Sequence, residues 1–404
     1  MTEALRPGSM GTRLDRVLGG RQAACFVLDA KYEPGGKGIV LYRHGDRLVR
    51  GDLVIGDDPP VHQMPRVVAP GLHVSVFPND ADLPSLPTVL DAGQLGSMLG
   101  AGRRPSIELL RYRPAKRATV RITSVRMASP LVAKVYHDVT KADAVAREST
   151  GPLPMGRKLA LAPIIAFVPE WAMVVQQAMT GRALSEEIGL HRGSQAAVAG
   201  TRRAAMALAE LHDGPLASTR ERSVGKELRR FALRAERIAS VDPVTGEALG
   251  SLAWRLLELE PEISDGPVGI VHGDCKPSQF LLQPDGRIAL LDLDHCGISD
   301  QVGDAGTFVA SLRQLVVRHR LSVRHQKAGA ARIAQLAALE LAFVQTYMER
   351  RAVVVTQSMI CWHTAIALER KALRAFARAP QSPLPRALAG EGQQYLDALV
   401  GAAR

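Results

Sequence analysis

Hydrophobic spacing changes near Thr140 from a strand pattern to a mainly helical one, and that change constrains the fold more than any other feature. Before it, β-branched and apolar residues come in short runs separated by turns that contain proline or glycine, the pattern of strands and hairpins. Beyond it, the stretches Ala142 to Ser149, Gly200 to His212, Gly225 to Ile238, Leu249 to Leu259, Val309 to Arg318 and Ala328 to Met348 carry apolar residues at three and four spacing, which lines one face of a helix. A β-rich region followed by a helical region predicts an α+β fold with segregated elements. The length of 404 residues, at roughly 100–200 per domain, allows two or three domains.

A pair of segments in the β-rich region echo each other at an offset of 80 residues. Tyr32-Glu33-Pro34 leads to Lys37 and Ile39 to Tyr42, and Tyr112-Arg113-Pro114 leads to Arg117 and Thr119 to Ile122. Each reads as a hairpin, with Leu48 to Ile55 and Leu131 to Tyr136 as further strands. The proline-rich stretch from Asp57 to Pro87 reads as a connection, with a helical Leu90 to Leu99 after it.

Charge adds a restriction. The net charge is +11, and from Ser311 to Arg404 fourteen Lys or Arg stand against five Asp or Glu, so most of the excess is local. It spreads along helical stretches such as Ser311 to Arg324 and Cys361 to Arg378, with no interleaved aromatics on which bases stack, which argues against a nucleic-acid partner. The four cysteines have neither CxxC nor metal spacing, which fits a reducing, cytoplasmic setting. The N-terminal MTEALRPGSMGTRLDR lacks a signal-peptide apolar core, and Val353 to Leu368 is interrupted by Thr356, Gln357, Ser358 and His363, so no membrane partner is expected.

One short β island interrupts the helical region: Ile270-Val271, then Phe280 to Leu282, then Ile288 to Leu291. It holds the string HGDCKPSQF from His272 to Phe280, a Gln283-Pro284-Asp285-Gly286 turn, and Asp292, 18 residues after Asp274. Because strands alternate faces and the turn reverses direction, Asp274, Gln279 and Asp292 can converge at one cleft. Oxygen ligands of this kind suit Mg²⁺ with a phosphate.

This string resembles the HGDxxxxN catalytic loop of the aminoglycoside phosphotransferase and choline kinase group, relatives of the protein kinases. LLDLDHCGISDQVGDAG, from Leu290 to Gly306, resembles that group's metal-binding aspartate strand with the Gly-Asp that follows it. The resemblance implies that Asp274 is the catalytic aspartate at the acceptor hydroxyl, with His272 structural behind it. It also implies Gln279 and Asp292 as metal ligands, Asp304 as a brace, and Lys276 beside the γ-phosphate. Lys134, set in the apolar strand Leu131 to Tyr136, resembles the group's phosphate-binding lysine, and Glu148, 14 residues later, its helix glutamate. The strand Met173 to Met179 resembles the hinge, where Gln177 and Met179 would meet the adenine of ATP, and Ser124 to Ser129 is a turn able to close over phosphates. His212 reads as structural. The sequence departs from the group at Gln279, where the group has Asn; the amide oxygen is retained on a side chain one methylene longer.

The expectation is a protein-kinase-like two-lobed α+β fold with an additional N-terminal β-rich unit: residues 1–105 as that unit with its connection, 106–178 as a small nucleotide lobe, and 179–404 as a helical catalytic and acceptor lobe. The expected activity is transfer of the ATP γ-phosphoryl group, with Mg²⁺, to a hydroxyl of a neutral or anionic small molecule. A catalytically silent nucleotide-binding scaffold and a peptide or protein kinase stand as alternatives. The acceptor and the oligomeric state are not written in the residues.

Overall fold

A computed structural model describes residues 4–19, 23–32, 38–53, 66–69, 71–102, 104–148, 158–189, 195–216, 218–263, 266–322 and 326–402. Its elements in chain order begin with α1 (Pro7–Leu18), β1 (Cys25–Tyr32), β2 (Gly38–His44), β3 (Arg47–Leu53), β4 (Arg66–Ala69), β5 (Leu72–Val76), α2 (Leu86–Leu90) and α3 (Ala92–Met98). There follow β6 (Ser106–Arg113), β7 (Arg117–Thr123), β8 (Leu131–Tyr136), α4 (Val139–Glu148), β9 (Leu159–Leu161), β10 (Ile164–Val168), β11 (Met173–Gln177) and β12 (Arg182–Ala183). The rest are α5 (Leu184–Gly189), α6 (Gln195–His212), α7 (Val224–Ala239), α8 (Pro243–Ile263), β13 (Val268–Val271), β14 (Phe280–Leu282), β15 (Ile288–Leu290), β16 (Gly297–Asp300), α9 (Val302–Ser322), α10 (Gln326–Arg350), α11 (Gln357–Arg378) and α12 (Leu384–Ala402). They form two compact units, one of Met1–Arg147, Ile164–Ala178 and Ala377–Ala379, the other of Glu148–Pro163, Met179–Phe376 and Pro380–Arg404.

The first unit contains two five-stranded antiparallel sheets, ordered β1-β2-β3-β5-β4 and β10-β11-β8-β7-β6. Both echoing segments are hairpins, β1–β2 and β6–β7, although Glu33, Pro34 and Lys37 of the first turn lie outside the described residues. Helix α1 covers the first sheet with Met10, Leu14 and Leu18 against Val40, Tyr42 and Val49. Pro7 suits its first turn, where no N–H is needed, and Gly19 ends it in the left-handed region.

The stretch from Asp57 to Pro87 is more than a connection. Its described residues include β4 and β5, and β5 pairs along β3 from Val49 to Leu53. These strands are four and five residues long and flanked by prolines, too short for alternation to stand out. The helical region after it is split at Asp91, which leaves the helical conformation and caps α3 by accepting the Gln94 N–H at 2.8 Å.

In the second unit α6, α9 and α10 pack around the island, with Phe280 edge-on to Phe308 and Phe308 stacked on Phe343 at 3.8 Å between ring centroids. A further core joins α7, α8, α11 and α12 around Trp362, Leu252 and Phe376. The hairpin β14–β15 belongs to a four-stranded sheet, β12-β14-β15-β9, in which β9 runs parallel to β15 with Leu159, Ala160 and Leu161 opposite Ile288, Ala289 and Leu290. A separate ribbon pairs β13 with β16. The four cysteines are free thiols, and no helix of the described residues is long and apolar enough to cross a membrane.

Candidate active site

The loop from His272 to Gln279 is fixed mainly through its backbone. Strand β13 ends at Val271, and the next two N–H groups, those of His272 and Gly273, both donate to the Asp304 carboxylate, at 2.5 and 2.8 Å. Asp304 sits in the first turn of α9, where a negative charge also meets the positive end of the helix. On its other side His212 Nε2 lies 3.2 Å away, and His212 Nδ1 lies 2.8 Å from the Tyr347 hydroxyl. Burial alone would raise the Asp304 carboxyl, but the His212 hydrogen bond and charge, with His272 behind them, hold it below the ordinary range. Asp304 and His212 therefore brace the loop.

Gly273 has φ +75, and a Cβ there would lie 2.2 Å from the His295 carbonyl and 2.6 Å from Arg222 Nη1. Both the angle and the space exclude a side chain. His272 is fully buried; its Nε2–H donates to the Leu291 carbonyl at 2.7 Å, and its Nδ1 accepts the Asp274 N–H at 3.2 Å. The ring thus fastens Asp274 to the residue preceding Asp292.

Asp274 is paired with Lys276, whose ammonium donates to Oδ2. Burial pushes the Asp274 carboxyl up, but the Lys276 charge and hydrogen bond, followed by the Arg374 charge, outweigh it and hold the carboxyl below its usual value. It is thus an ionised acceptor at neutral pH.

The hairpin β14–β15 closes with Gln283 N–H donating to the Arg287 carbonyl at 3.0 Å, and Gly286 in its turn has φ +85. At its open end the Leu291 N–H donates to the Gln279 carbonyl at 2.9 Å, so Gln279 and the residue before Asp292 are bonded neighbours. Asp292 adopts φ +64, a left-handed conformation that Asp tolerates better than most residues. The carboxylate of Asp292 and the amide oxygen of Gln279 are hard oxygen donors. Among the described residues no group of three or more His, Cys, Asp or Glu could hold a metal ion. Such a donor pair fits Mg²⁺, which keeps most of its coordination as water and phosphate oxygen.

In the first unit Lys134 lies mid-strand in β8, opposite Thr119 of β7 and Val174 of β11, with its side chain buried. Its neighbours Ala133 and Val135 point to the core of the other face, so alternation separates the lysine from them. Glu148 ends α4, and its side chain lies outside the described ones. Gln177 is the last residue of β11, opposite Leu131, and the N–H of Ala178 after it is taken by the Pro130 carbonyl at 2.9 Å; Met179 follows. Ser124 to Ser129 lies between β7 and β8, as a turn.

The sequence reading missed one component. Arg370, Lys371 and Arg374 of α11 stand within electrostatic range of Asp274. Arg370 is tied to Glu227 of α7 by two hydrogen bonds of 2.7 and 2.8 Å. Beside Gly273 lies a cavity of about 60 Å³, lined among others by Arg222, Glu227, Asp304, Thr307 and Arg370. The basic character of the stretch from Cys361 to Arg378 was visible, but which face it turns to Asp274 was not.

Residues 168–340, which include the loop, the hairpin and Asp304, match the model of the phosphotransferase enzyme family. Among solved structures, a putative aminoglycoside phosphotransferase from Ralstonia eutropha is similar at 16% identity with a TM-score of 0.51, over 77% of this chain and 98% of that one. Choline kinase from Cryptosporidium parvum aligns at 13% identity and TM-score 0.50, over 74% of this chain and 91% of that one. An ethanolamine kinase from Plasmodium vivax aligns at 12% and 0.50, over 80% and 89%. No curated protein sequence matches. The fold is therefore protein-kinase-like, of the phosphotransferase type. More narrowly, the resemblance to the aminoglycoside phosphotransferase and choline kinase group, read first from HGDCKPSQF, is borne out.

Proposed function

We propose that the chain is an ATP-dependent phosphotransferase that moves the γ-phosphoryl group to a hydroxyl of a small neutral or anionic molecule. The observation that carries this reading is the ionised Asp274 on a loop whose backbone is locked by Asp304 and His272. Phosphoryl transfer asks a protein chiefly for positioning and charge neutralisation, and a carboxylate held this rigidly supplies the first. The acceptor oxygen forms a bond to the γ-phosphorus, the bond from that phosphorus to the bridging oxygen breaks, and its electron pair leaves with ADP. Asp274 orients the hydroxyl and takes its proton. Lys276, now on Asp274, exchanges that partner for the transferring phosphoryl oxygens. Gln279 and Asp292 would hold Mg²⁺, which when bound neutralises phosphate charge.

In the same reading Lys134 serves the nucleotide phosphates, Glu148 orients Lys134, and Gln177 and Met179 flank the adenine. Residues 106–178 act as the nucleotide lobe and 179–404 as the catalytic and acceptor lobe, with 1–105 as an added unit. The family model over 168–340 supports the reaction class.

The test is incubation with ATP, Mg²⁺ and a fractionated metabolite extract, read by mass spectrometry for a gain of phosphate. Asp274→Asn should lower kcat by about 10²–10⁴ with ATP affinity nearly unchanged. Full activity in that variant sinks the mechanism.

A further inference from the structure

One buried guanidinium stands behind the loop. The side chain of Arg351, the residue after α10, is 1% exposed, and all three of its nitrogens have partners. Nε donates to Asp213 Oδ1 at 3.1 Å, Nη2 to Gln301 Oε1 at 2.7 Å and Nη1 to the Tyr347 hydroxyl oxygen at 2.7 Å, with His212 Nδ1 3.2 Å from the same Nη1. Asp213 also supplies its counter-charge.

The inventory of donors and acceptors leaves one arrangement. A guanidinium has no acceptor, so the Tyr347 oxygen accepts and its own proton turns to His212 Nδ1, 2.8 Å away. Nδ1 is then the bare nitrogen, and Nε2 carries the proton donated to Asp304 at 3.2 Å. Burial, the largest influence, and the Arg351 charge keep the pKa of the ring below its ordinary value against Asp304 and Asp213. At neutral pH the ring therefore holds one proton; the second, and the charge that then acts on Asp304, belong to acid solution. The groups facing the ring are Asp304 from α9, Tyr347 from α10, Arg351 beyond it and Asp213 after α6, while the loop adds the buried thiol of Cys275 near Tyr347. Gln301 is oriented by the same logic. Its oxygen faces Arg351, so its amide nitrogen donates to the carbonyls of His212 at 2.8 Å and of Ile270, in β13, at 3.2 Å.

We propose that Arg351 is a positioning residue for Asp274: it holds His212 in the Nε2–H form and Gln301 against β13, and through both it sets where the backbone before Asp274 stands. The first route runs through Tyr347, His212 and Asp304 to the N–H groups of His272 and Gly273, and the second through Gln301 to the strand that enters the loop. Tyr347, His212, Gln301 and Asp304 are all buried, so water does not compete for these bonds. The catalytic consequence rests on the phosphotransferase reading; the arrangement of protons does not.

The experiment has two arms. In the first, the full chain with ¹⁵N-labelled histidine rings is measured by NMR without nucleotide, His212 being assigned from the signals missing in His212→Asn. The wild type should carry its proton on Nε2, and so should Tyr347→Phe, in which Arg351 Nη1 still reaches Nδ1. In Arg351→Met the ring should take its second proton at higher pH than in the wild type, because the opposing charge is gone and the Tyr347 oxygen is free to accept. A wild-type proton on Nδ1, or a His212 titration that Arg351→Met leaves unmoved, overturns the proposal. In the second arm, ADP release from Mg²⁺-ATP is measured with the fractionated metabolite extract, per mole of folded enzyme. Arg351→Met should lower kcat about ten- to hundredfold with KM for ATP unchanged, the cost of a reacting group displaced by about 1 Å. Arg351→Lys keeps the cation but offers one nitrogen to three partners, so kcat should fall there too, and it carries the test if Arg351→Met does not fold. Wild-type kcat in either folded variant, or a change confined to KM, overturns the positioning role. If the wild type releases no ADP with any fraction, the phosphotransferase reading falls, and the NMR arm alone decides the hydrogen-bond chain.

Discussion

Lys276 closes onto Asp274, so the lysine that the sequence places at the phosphate is paired with the carboxylate that it places at the acceptor. The pair keeps Asp274 ionised, and the lysine is the main cause of its lowered pKa once burial is overcome. Lys276→Met should therefore shift the acidic limb of the pH profile of kcat/KM upwards, because Asp274 must lose its proton to act as a base. Lys276→Arg should leave that limb near the wild-type position. An unmoved limb in Lys276→Met would show that another group sets it.

The metal ligands proposed above, Gln279 and Asp292, have a separate signature. Mg²⁺-ATP should raise the Tm of the wild type by mass action, and Asp292→Asn should lose most of that rise. Asn is the better choice than Ala because position 292 has φ +64, which Asn adopts readily. Gln279→Asn should keep the rise, since the amide oxygen is retained. A full rise in Asp292→Asn would remove Asp292 from the metal site.

Asp304 is expected to matter for stability as much as for turnover. Asp304→Ala strands the N–H groups of His272 and Gly273 and one nitrogen of His212, all buried or part-buried. At about 1–3 kcal/mol for each unsatisfied buried group, a loss on the order of 3–5 kcal/mol follows. Urea unfolding checks it, with the exposed Asp285→Ala as the comparison, expected to leave the midpoint nearly unchanged.

Glu369 behaves in the opposite sense. It is fully buried in α11, and neither carboxyl oxygen finds a partner among the described residues. Burial holds its pKa well above the ordinary value, with the Arg234 charge a lesser, opposing influence. Below the unfolded pKa both states are protonated; above it the unfolded chain ionises while the folded chain does not, so the group lowers stability as pH rises. Glu369→Met should raise stability at pH 7 by about 1–3 kcal/mol and flatten that decline. A less stable variant would mean that the carboxyl has a partner it needs.

Much of this was legible in sequence, for physical reasons that differ by element. The hairpins β1–β2 and β6–β7 and the strand of Lys134 announce themselves through β-branched runs beside proline turns. The loop from His272 to Gln279 was legible because HGDCKPSQF resembles a known string whose glycine, here Gly273, stands where no Cβ fits. Strand β9 was not, since three residues carry no period. Helix α1 was read only as a segment too polar for a signal peptide, although Pro7 and Gly19 frame it. The electrostatic influence between Asp274 and the α11 residues Lys371 and Arg374 links positions about a hundred apart, and no local pattern encodes it.

The parallel pairing of β9 with β15 sets an order of events during synthesis. Leu159, Ala160 and Leu161 are made about 130 residues before their partners Ile288, Ala289 and Leu290. At the usual pace of translation that interval is on the order of ten seconds. Throughout it an apolar strand, buried in the finished protein, waits with its ladder unfilled. A nascent chain stopped before Ile288 should therefore engage chaperones or aggregate, whereas one released after Leu290 has the whole sheet at hand.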